Sequence, residues 1–257
     1  MWFEVRRRTP SAQGSAQEML CASRELDELG EEVTNTKMPA LRLPKPKLDD
    51  GKSFAKALRL RRTVRDMTDR KLSSQLLSNV LFAACGVNRA QGPFGALGVT
   101  AASASNSQEI DIYVALERGA YRFVAEKHAL ELVLSDDIRR LAFGPRQPAV
   151  SPNAPVQLLY VVDLDKLEHT SGFEEPGLHD AAVQKSYYFV DTGIIAANVY
   201  LLAASDGLAC WFHNCDRSGL AKKLELRKTQ RVLFAQTVGY PSSRRESASG
   251  ATPGRDG

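Results

Sequence analysis

Three arginines and a threonine lie close together in the run Arg61-Arg62-Thr63-Val64-Arg65. Guanidinium groups bind phosphate through paired hydrogen bonds, and a neighbouring hydroxyl group supplies one more. The surrounding segment 38–71 contains eleven Lys and Arg residues against four Asp residues, so its net charge is +7. The run therefore predicts a site for an anionic ligand, although charge runs more often mark a solvated basic surface.

A second polar segment, residues 100–108, reads Thr-Ala-Ala-Ser-Ala-Ser-Asn-Ser-Gln. Small hydroxyl and amide side chains can line a bound cofactor, but the same composition is typical of an ordinary loop. Further on, His213 could supply a proton near neutral pH. A lone histidine is more often structural, and the sequence shows no evident catalytic triad or carboxylate pair.

The cysteines favour free thiols over a metal site. Cys21, Cys85, Cys210 and Cys215 form no Cys-x-x-Cys pair, and the four histidines lack the spacing of zinc ligands. A bound metal is therefore not predicted. Free thiols in a reducing compartment are the simplest interpretation, with a local disulfide between Cys210 and Cys215 as the alternative.

Composition predicts one globular domain, and the lack of a membrane span or secretory signal predicts that it works in the cytoplasm. The 257 residues are 43% hydrophobic and 25% charged, with a net charge of +4. This balance allows a sizeable core and does not fit a dedicated nucleic-acid binder. The apolar runs are too short to span a membrane, and no secretory signal is evident. We expect residues 38–243 to form the domain, residues 1–37 to be a polar extension that is disordered or not native, and residues 244–257 to be a disordered tail.

Helix and strand patterns alternate between these ends. Serine caps predict helices from Ser53 to about Arg62 and from Ser73 or Ser74 onward. Apolar patterns predict strands at Ile110–Leu116, Ala120–Val124, His128–Leu134, Val156–Val162 and Val232–Tyr240. The remaining predictions are a loop at Gly86–Gly98, a helix at Ser135–Ala142, and a helix that begins at Asp216 with Leu220, Ala221 and Leu224 inward.

The longest predicted element is a helix from about His179 to Gly207. Apolar residues at steps of three and four form a seam along it, namely Val190, Ile194, Ala197, Leu201, Ala204 and Leu208. Other apolar residues lie off this seam, so more than one side of the helix requires burial. Such a helix is either the core of a domain or half of a dimer interface. The whole pattern predicts an α+β fold, with a central, mostly antiparallel sheet flanked by helices.

Five segments, in order along the chain, resemble motifs of the nitroreductase family of FMN-dependent enzymes. They are Arg61–Arg65, similar to Arg-Arg-Ser-x-Arg; Leu81–Arg89, at a helix end; Ser103–Gln108, similar to Pro-Ser-x-x-Asn-x-Gln-Pro-Trp; Asp206–Leu208, at the end of the dimer helix; and Val238–Pro241, in the last strand. The phrase Gln108–Val114 looks like the branch related to azoline-forming peptide oxidases. The resemblance implies a nitroreductase-like fold, with the long central helix at the interface of a homodimer.

The resemblance also implies how these residues meet FMN. Arg61, Arg62 and Thr63 would hold the phosphate and ribityl chain, and Arg65 would place a cation near the N1–O2 edge of the flavin. The partner subunit would contribute the polar loop, through Ser103, Ser105, Asn106 and a supporting Gln108. The resemblance further implies that a C-terminal cation, Arg244 or Arg245, returns to the phosphate. It also implies that Trp211 and Phe212 shape the substrate pocket, and the alternative is that these two residues only close the core.

Some positions depart from the family motifs. Ala102 stands where proline is usual, and Glu109 and Ile110 replace the usual Pro-Trp, which should alter the pocket without abolishing flavin binding. The peptide-oxidase relatives use an adjacent Lys-Tyr pair as acid and base. Lys185 and Tyr187 are not adjacent here, so azoline chemistry is not assigned.

The expected function is reduction of a nitroaromatic, a quinone or a similar small acceptor by NADH or NADPH, in a ping-pong mechanism. The flavin N5 would carry the hydride, so no catalytic side chain is predicted. Two alternatives are an FMN-dependent dehydrogenase of a peptide or small molecule and a flavin-binding module without turnover. The expected partners are a second copy of the chain and the small acceptor, and neither nucleic acid nor a membrane.

Overall fold

A computed structural model describes residues 40–144, 151–170 and 179–242. The predicted extension and tail, with Arg244 and Arg245, lie outside these ranges. The strands in the described ranges are β1 Ala40–Arg42, β2 Val87–Arg89, β3 Gly98–Val99, β4 Ile110–Leu116, β5 Gly119–Val124, β6 Ala129–Leu134, β7 Val156–Asp163, β8 Ala209–His213 and β9 Gln230–Gly239. The α-helices there are α1 Phe54–Leu60, α2 Ser74–Cys85, α3 Leu164–Glu168, α4 Ala181–Asp206 and α5 Arg217–Lys223.

Seven strands form one sheet in the order β1-β6-β5-β4-β7-β9-β8, and every neighbouring pair is antiparallel. Strand β7 lies in the middle part of the sheet, and all its residues are buried. Its continuous apolar run therefore needs cover on both faces. The expected α+β fold, with a mostly antiparallel sheet flanked by helices, is confirmed.

Apolar residues on the two faces of the sheet form two cores. On the first face, Ile112 and Tyr160 join a cluster that includes Leu81 of α2 and Val199 of α4. On the second face, Leu159 joins a cluster whose other members include Phe143, Trp211 and Leu220. Strand β4 contributes to both cores because successive side chains of a strand point to opposite faces.

Helix α4 has well-defined ends and one buried face. Asp180 accepts hydrogen bonds from the backbone N–H groups of residues 182 and 183, and Gly207 ends the helix with a φ of 72°. That left-handed conformation favours glycine at a helix end. The buried residues are Tyr188, Asp191, Thr192, Ile195, Ala196, Val199 and Ala203. The predicted seam instead lies beside this face, and its Val190 is 58% exposed.

Most predicted elements are confirmed. Ser53 and Ser73 cap α1 and α2, and Asp216 caps α5, which buries Leu220. The hairpin of β4 and β5 has the expected strands, with Leu116 opposite Gly119.

Three local predictions are wrong or incomplete. The helix predicted at Ser135–Ala142 is a short 3-10 turn, Arg139–Ala142, stabilised by the buried Arg139 and its Asp137 partner. The loop predicted at Gly86–Gly98 contains the small two-stranded sheet of β2 and β3. Strand β8 was not predicted, because its five residues come shortly after a long helix and form a strand only by pairing with β9, which lies later in the sequence.

Helix α4 is the one described helix long and apolar enough to cross a membrane. In this fold it packs against α1, α2 and strand β8. Packing of this kind is typical of the core helix of a globular protein, and such a helix passes the same length and composition test.

Candidate functional site

The arginine run 61–65, called here the basic cluster, borders a cleft of about 600 Å³ between the C-terminal ends of α1 and α4. Lys52, Arg59, Arg61 and Arg62 contribute to its lining together with Asp66. The wall formed by α4 carries small residues, and the chain just after β9 closes another side. The volume lies within the range of about 300–1,000 Å³ that is common for cofactor pockets.

Hydrogen bonds hold the arginine run against the edge of the sheet. The Val64 N–H donates to the Cys210 carbonyl oxygen at 3.0 Å, on the outer edge of β8. The Ser151 hydroxyl accepts from the Met67 N–H at 2.8 Å and donates to the Arg65 carbonyl oxygen at 3.0 Å. The backbone that carries the cluster is therefore fixed before any ligand binds.

Tyr200 of α4 links two residues of the cluster to β8. Its hydroxyl oxygen accepts a hydrogen bond from the Phe212 N–H at 2.8 Å and lies 3.2 Å from the Thr63 hydroxyl oxygen. The Arg61 guanidinium carbon lies 5.3 Å from the centre of the Tyr200 ring, within cation–π distance. Sequence reasoning missed Tyr200. Its signal was a tyrosine within the largely apolar second half of the long helix, where a half-buried Tyr needs a polar partner.

Arg65 lies next to the predicted pocket residue Trp211, with its guanidinium carbon 5.3 Å from the ring centre. Trp211 itself is 7% exposed and contacts Phe143 and His213. Phe212 is half-buried and packs on the other face of the sheet. This packing favours core closure for most of Trp211, while the cation of Arg65 covers the side of the ring that it contacts.

The other candidate chemical groups of this region are buried and neutral near pH 7. The His213 Nε2 lies 2.7 Å from the Thr237 hydroxyl oxygen, and burial lowers the pKa of this imidazole. Cys210 and Cys215 are free cysteines, so the alternative of a disulfide between them is wrong. Burial raises the pKa of Cys210 to about 12 and that of Cys215 to about 11, which makes both unsuited to nucleophilic chemistry.

The second polar segment forms a tight loop before β4. Ser105, Asn106 and Gln108 have positive φ angles of 48°, 56° and 49°, a conformation that non-glycine residues seldom adopt. The Gln108 side-chain amide donates to the Leu97 carbonyl oxygen at 2.7 Å and to the Asn106 side-chain oxygen at 3.0 Å. The Gln108 N–H donates to the Ser103 hydroxyl oxygen at 3.0 Å. These bonds hold the loop in its strained shape.

The loop and the basic cleft do not meet within one protomer. The loop is attached to α4 at Asp191, whose carboxylate accepts from the Ala104 N–H at 3.1 Å. The cleft lies against the C-terminal part of the same helix, at Ala203 and Ala204. At the rise of an α-helix, these attachment points are about 18 Å apart along the axis. In the single chain, none of the loop residues 103–108 lines the cleft.

The donor set of the cleft suits FMN, the cofactor that the sequence resemblance implies. Arg61 and Arg62 line the cleft, and their guanidinium groups match a phosphate. Thr63 and Arg65 are not lining residues, but the Thr63 hydroxyl lies next to that of Tyr200, which is one, and it matches the polar ribityl chain. Arg65 is exposed on the same run and adds positive charge next to an aromatic ring. Ser242, the last described residue, also lines the cleft. The predicted Arg244 lies outside the residues that the structure describes.

Comparisons with known proteins point the same way. The family model described as the nitroreductase family matches residues 58–240. A candidate nitroreductase of Ralstonia eutropha is 31% identical, with a TM-score of 0.70 over 81% of this chain and 92% of that one. A candidate nitroreductase of Methanocaldococcus jannaschii is 28% identical over 155 residues, which are 58% of this chain and 71% of that protein. The NADPH:FMN oxidoreductase of Vibrio harveyi, at 19% identity and a TM-score of 0.51 over 73% of this chain and 68% of that one, has a similar fold.

Proposed function

Since this chain belongs to the nitroreductase family, a family of flavin-dependent oxidoreductases, we propose that it passes two electrons from NADH or NADPH to a small acceptor through bound FMN. A nitroaromatic or a quinone is the acceptor class that we propose, with the two substrates entering in turn. The observation that carries the proposal is the cleft in which Arg61 and Arg62 stand beside Tyr200. The Vibrio harveyi protein is named an NADPH:FMN oxidoreductase, and its structure was solved with NAD+. Both facts support the choice of a nicotinamide and FMN for this chain.

Each residue of the cluster has a separate part in this proposal. FMN, when bound, supplies the atom that accepts and donates hydride. Arg61 and Arg62 bind the phosphate, and Tyr200 fixes Thr63 and Arg61 in place through the contacts already described. Arg65 provides a cation that stabilises negative charge on the flavin edge when the ring is reduced. The protein thus positions and tunes the cofactor without a dedicated nucleophile.

We propose that the working unit is a homodimer. Apolar side chains on two neighbouring helices face solvent in the single chain, namely Phe54, Leu58 and Leu60 of α1 with Val183, Phe189 and Val190 of α4. Exposed large apolar side chains of this kind favour an interaction surface. A second copy would cover them and would also bring its Ser103, Ser105 and Asn106 to the cleft. The dimer would act on small molecules in the cytoplasm, without nucleic acid or a membrane.

The visible spectrum of the purified protein tests the redox proposal. Protein reconstituted with FMN should show the flavin band near 450 nm, and NADPH or NADH should bleach it in the absence of oxygen. Addition of a quinone or a nitroaromatic should then restore the band. Arg61→Ala combined with Arg62→Ala should lose FMN on gel filtration, whereas Arg118→Ala, which removes an exposed arginine in the β4–β5 turn, should retain it.

Two results would contradict the proposal in different ways. If FMN binds but neither nicotinamide bleaches it, the NAD(P)H-driven reaction is disproved. The alternative function, an FMN-dependent dehydrogenase of a peptide or small molecule, is then favoured. If FMN binds and is bleached, yet no acceptor restores the band, a flavin-binding module without turnover replaces the enzyme.

A further inference from the structure

Two buried carboxyl groups, those of Glu109 and Asp191, meet where the polar loop joins β4 and α4. Glu109 is fully buried and Asp191 is 4% exposed. The Glu109 carboxylate accepts from the Ser107 hydroxyl at 2.6 Å, and the Asp191 carboxylate accepts from the Ala104 N–H at 3.1 Å. The Glu109 Oε1 has no donor in the described part of the chain, although the two carboxyl groups lie within hydrogen-bonding reach of each other.

These two groups can satisfy each other only if one of them carries a proton. Two ionised carboxylates are both acceptors, and burying them side by side costs free energy through desolvation and repulsion. A single proton converts one of them into a donor and gives the orphaned oxygen a partner. Burial, followed by the charge of Glu109, raises the pKa of Asp191 to about 7, which keeps that proton in place in weakly acidic solution.

The neighbouring charges do not replace the proton. Among the described residues, the Cys85 thiol of α2 lies near Glu109, and Lys166 of α3 and Asp111 of β4 lie near the same thiol. The Lys166 ammonium donates to the Asp111 carboxylate at 2.8 Å and to the Gln108 carbonyl oxygen at 3.1 Å, so it is already engaged. Burial raises the pKa of the Cys85 thiol to about 11, so this group stays neutral.

The pair is attached to both sides of the strained part of the loop. Asp191 binds Ala104 and Glu109 binds Ser107, while Ser105 and the residue after it have positive φ angles. A backbone in such a conformation persists only where its surroundings determine it. The conformation of the loop therefore depends on the two carboxyl groups staying together.

We propose that Glu109 and Asp191 are positioning residues that share one proton and thereby hold the loop 103–108 in the shape that meets FMN in the partner subunit. The part that concerns FMN rests on the proposed function. Loss of the shared proton leaves two like charges in the core and loosens the loop. Glu109 occupies the position of the second proline in the family motif Pro-Ser-x-x-Asn-x-Gln-Pro-Trp. The motif itself therefore does not require this carboxyl group.

Stability of the flavin-free protein between pH 6 and pH 9 tests the shared proton. Because folding raises the pKa of Asp191, the stabilisation is present at low pH and is lost as the pH rises through about 7. Over this window the unfolding equilibrium constant of the wild type should rise about tenfold, and its Tm should fall by about 3 °C. Glu109→Gln and Asp191→Asn each supply an amide donor instead of the proton, so their profiles should be flat.

The control is Glu126→Gln, which neutralises an exposed glutamate and should keep the wild-type profile. If the wild type and both amide variants lose stability in parallel, the shared proton is disproved. Should the variants fail to fold, the infrared band of a protonated carboxyl in the wild type decides the matter, since it should be present at pH 6 and absent at pH 9. A wild-type spectrum without this band at pH 6 overturns the proposal.

Quenching of FMN fluorescence tests the positioning role separately. The wild type should bind FMN several-fold more weakly at pH 9 than at pH 6, and Glu109→Gln should bind it equally at both values. Equal affinity of the wild type at both pH values overturns the positioning role even if the proton is shared. FMN binding by none of these proteins would overturn the positioning role and the proposed function together, while the melting profiles would still decide on the proton.

Discussion

The hydroxyl group of Tyr200 should matter both to the stability of the sheet edge and to the cleft. Strand β8 lies at the edge of the sheet, and its outward N–H at Phe212 donates to the Tyr200 hydroxyl oxygen. Tyr200→Phe keeps the ring and its contact with Arg61 but removes the acceptor and the neighbour of Thr63. The change therefore isolates one oxygen atom.

The expected loss of stability follows from the hydrogen bond that disappears. A backbone N–H that loses its acceptor costs about 1–3 kcal/mol, and the lower part of this range applies because Phe212 is only half-buried. For a domain of this size, about 1 kcal/mol corresponds to a Tm lower by about 2–4 °C. The affinity for FMN should fall roughly fivefold, since the Thr63 hydroxyl loses the group that orients it.

Thermal melting and urea unfolding of the flavin-free protein measure the first effect, and FMN titration measures the second. The matched control is Tyr240→Phe, because the Tyr240 ring packs on Arg70 and its hydroxyl has no hydrogen bond among the residues that the structure describes. The control should change neither quantity by a comparable amount. An unchanged Tm and FMN affinity for Tyr200→Phe would show that the hydroxyl neither caps β8 nor orients the cluster.

Three further predictions concern the charge and the assembly of the site. Arg65→Ala should slow reduction of bound FMN by NADPH roughly tenfold and make the flavin potential more negative, because the cation that favours the reduced ring is removed. Stopped-flow reduction measures the rate and a redox titration measures the potential. An unchanged potential would exclude Arg65 from that role. Val190→Asp should leave the fold of one chain intact, since this side chain is 58% exposed, but should shift the protein to a monomer in light scattering and weaken FMN binding; a stable dimer would place the interface elsewhere. FMN affinity should fall as salt is raised from low to physiological concentration, because exposed cations that bind a phosphate are screened, and an affinity independent of salt would argue against a phosphate held by Arg61 and Arg62.

Local sequence signals were sufficient for most of the fold. Caps at Ser53 and Ser73 and the alternation in Ile110–Leu116 depend on residues close in sequence, and the structure confirms them. Strand β8 and the face that α4 buries depend on partners far along the chain. The sequence pattern of α4 showed that several of its sides are apolar, but burial of Asp191 depends on a hydrogen bond from the distant Ala104 N–H, which only the tertiary structure reveals.

The residues of the candidate site also fall into those that local sequence predicts and those that depend on contacts far along the chain. The arginine run was visible as a cluster, and the structure places Arg61 and Arg62 in the lining of a cleft. That this cleft binds an anion stays a prediction. The role of Tyr200 and the proximity of Glu109 to Asp191 were not predicted, because each joins segments that are far apart in sequence. A departure from a family motif, such as Glu109 in place of proline, is a signal that deserves a search for its buried partner.

A crystal structure of the protein reconstituted with FMN tests the proposed site most directly. We expect a dimer in which the phosphate accepts hydrogen bonds from Arg61 and Arg62 of one protomer, while Ser103, Ser105 and Asn106 of the other protomer contact the same flavin. FMN bound away from this cleft, or a site completed by a single chain, would contradict it.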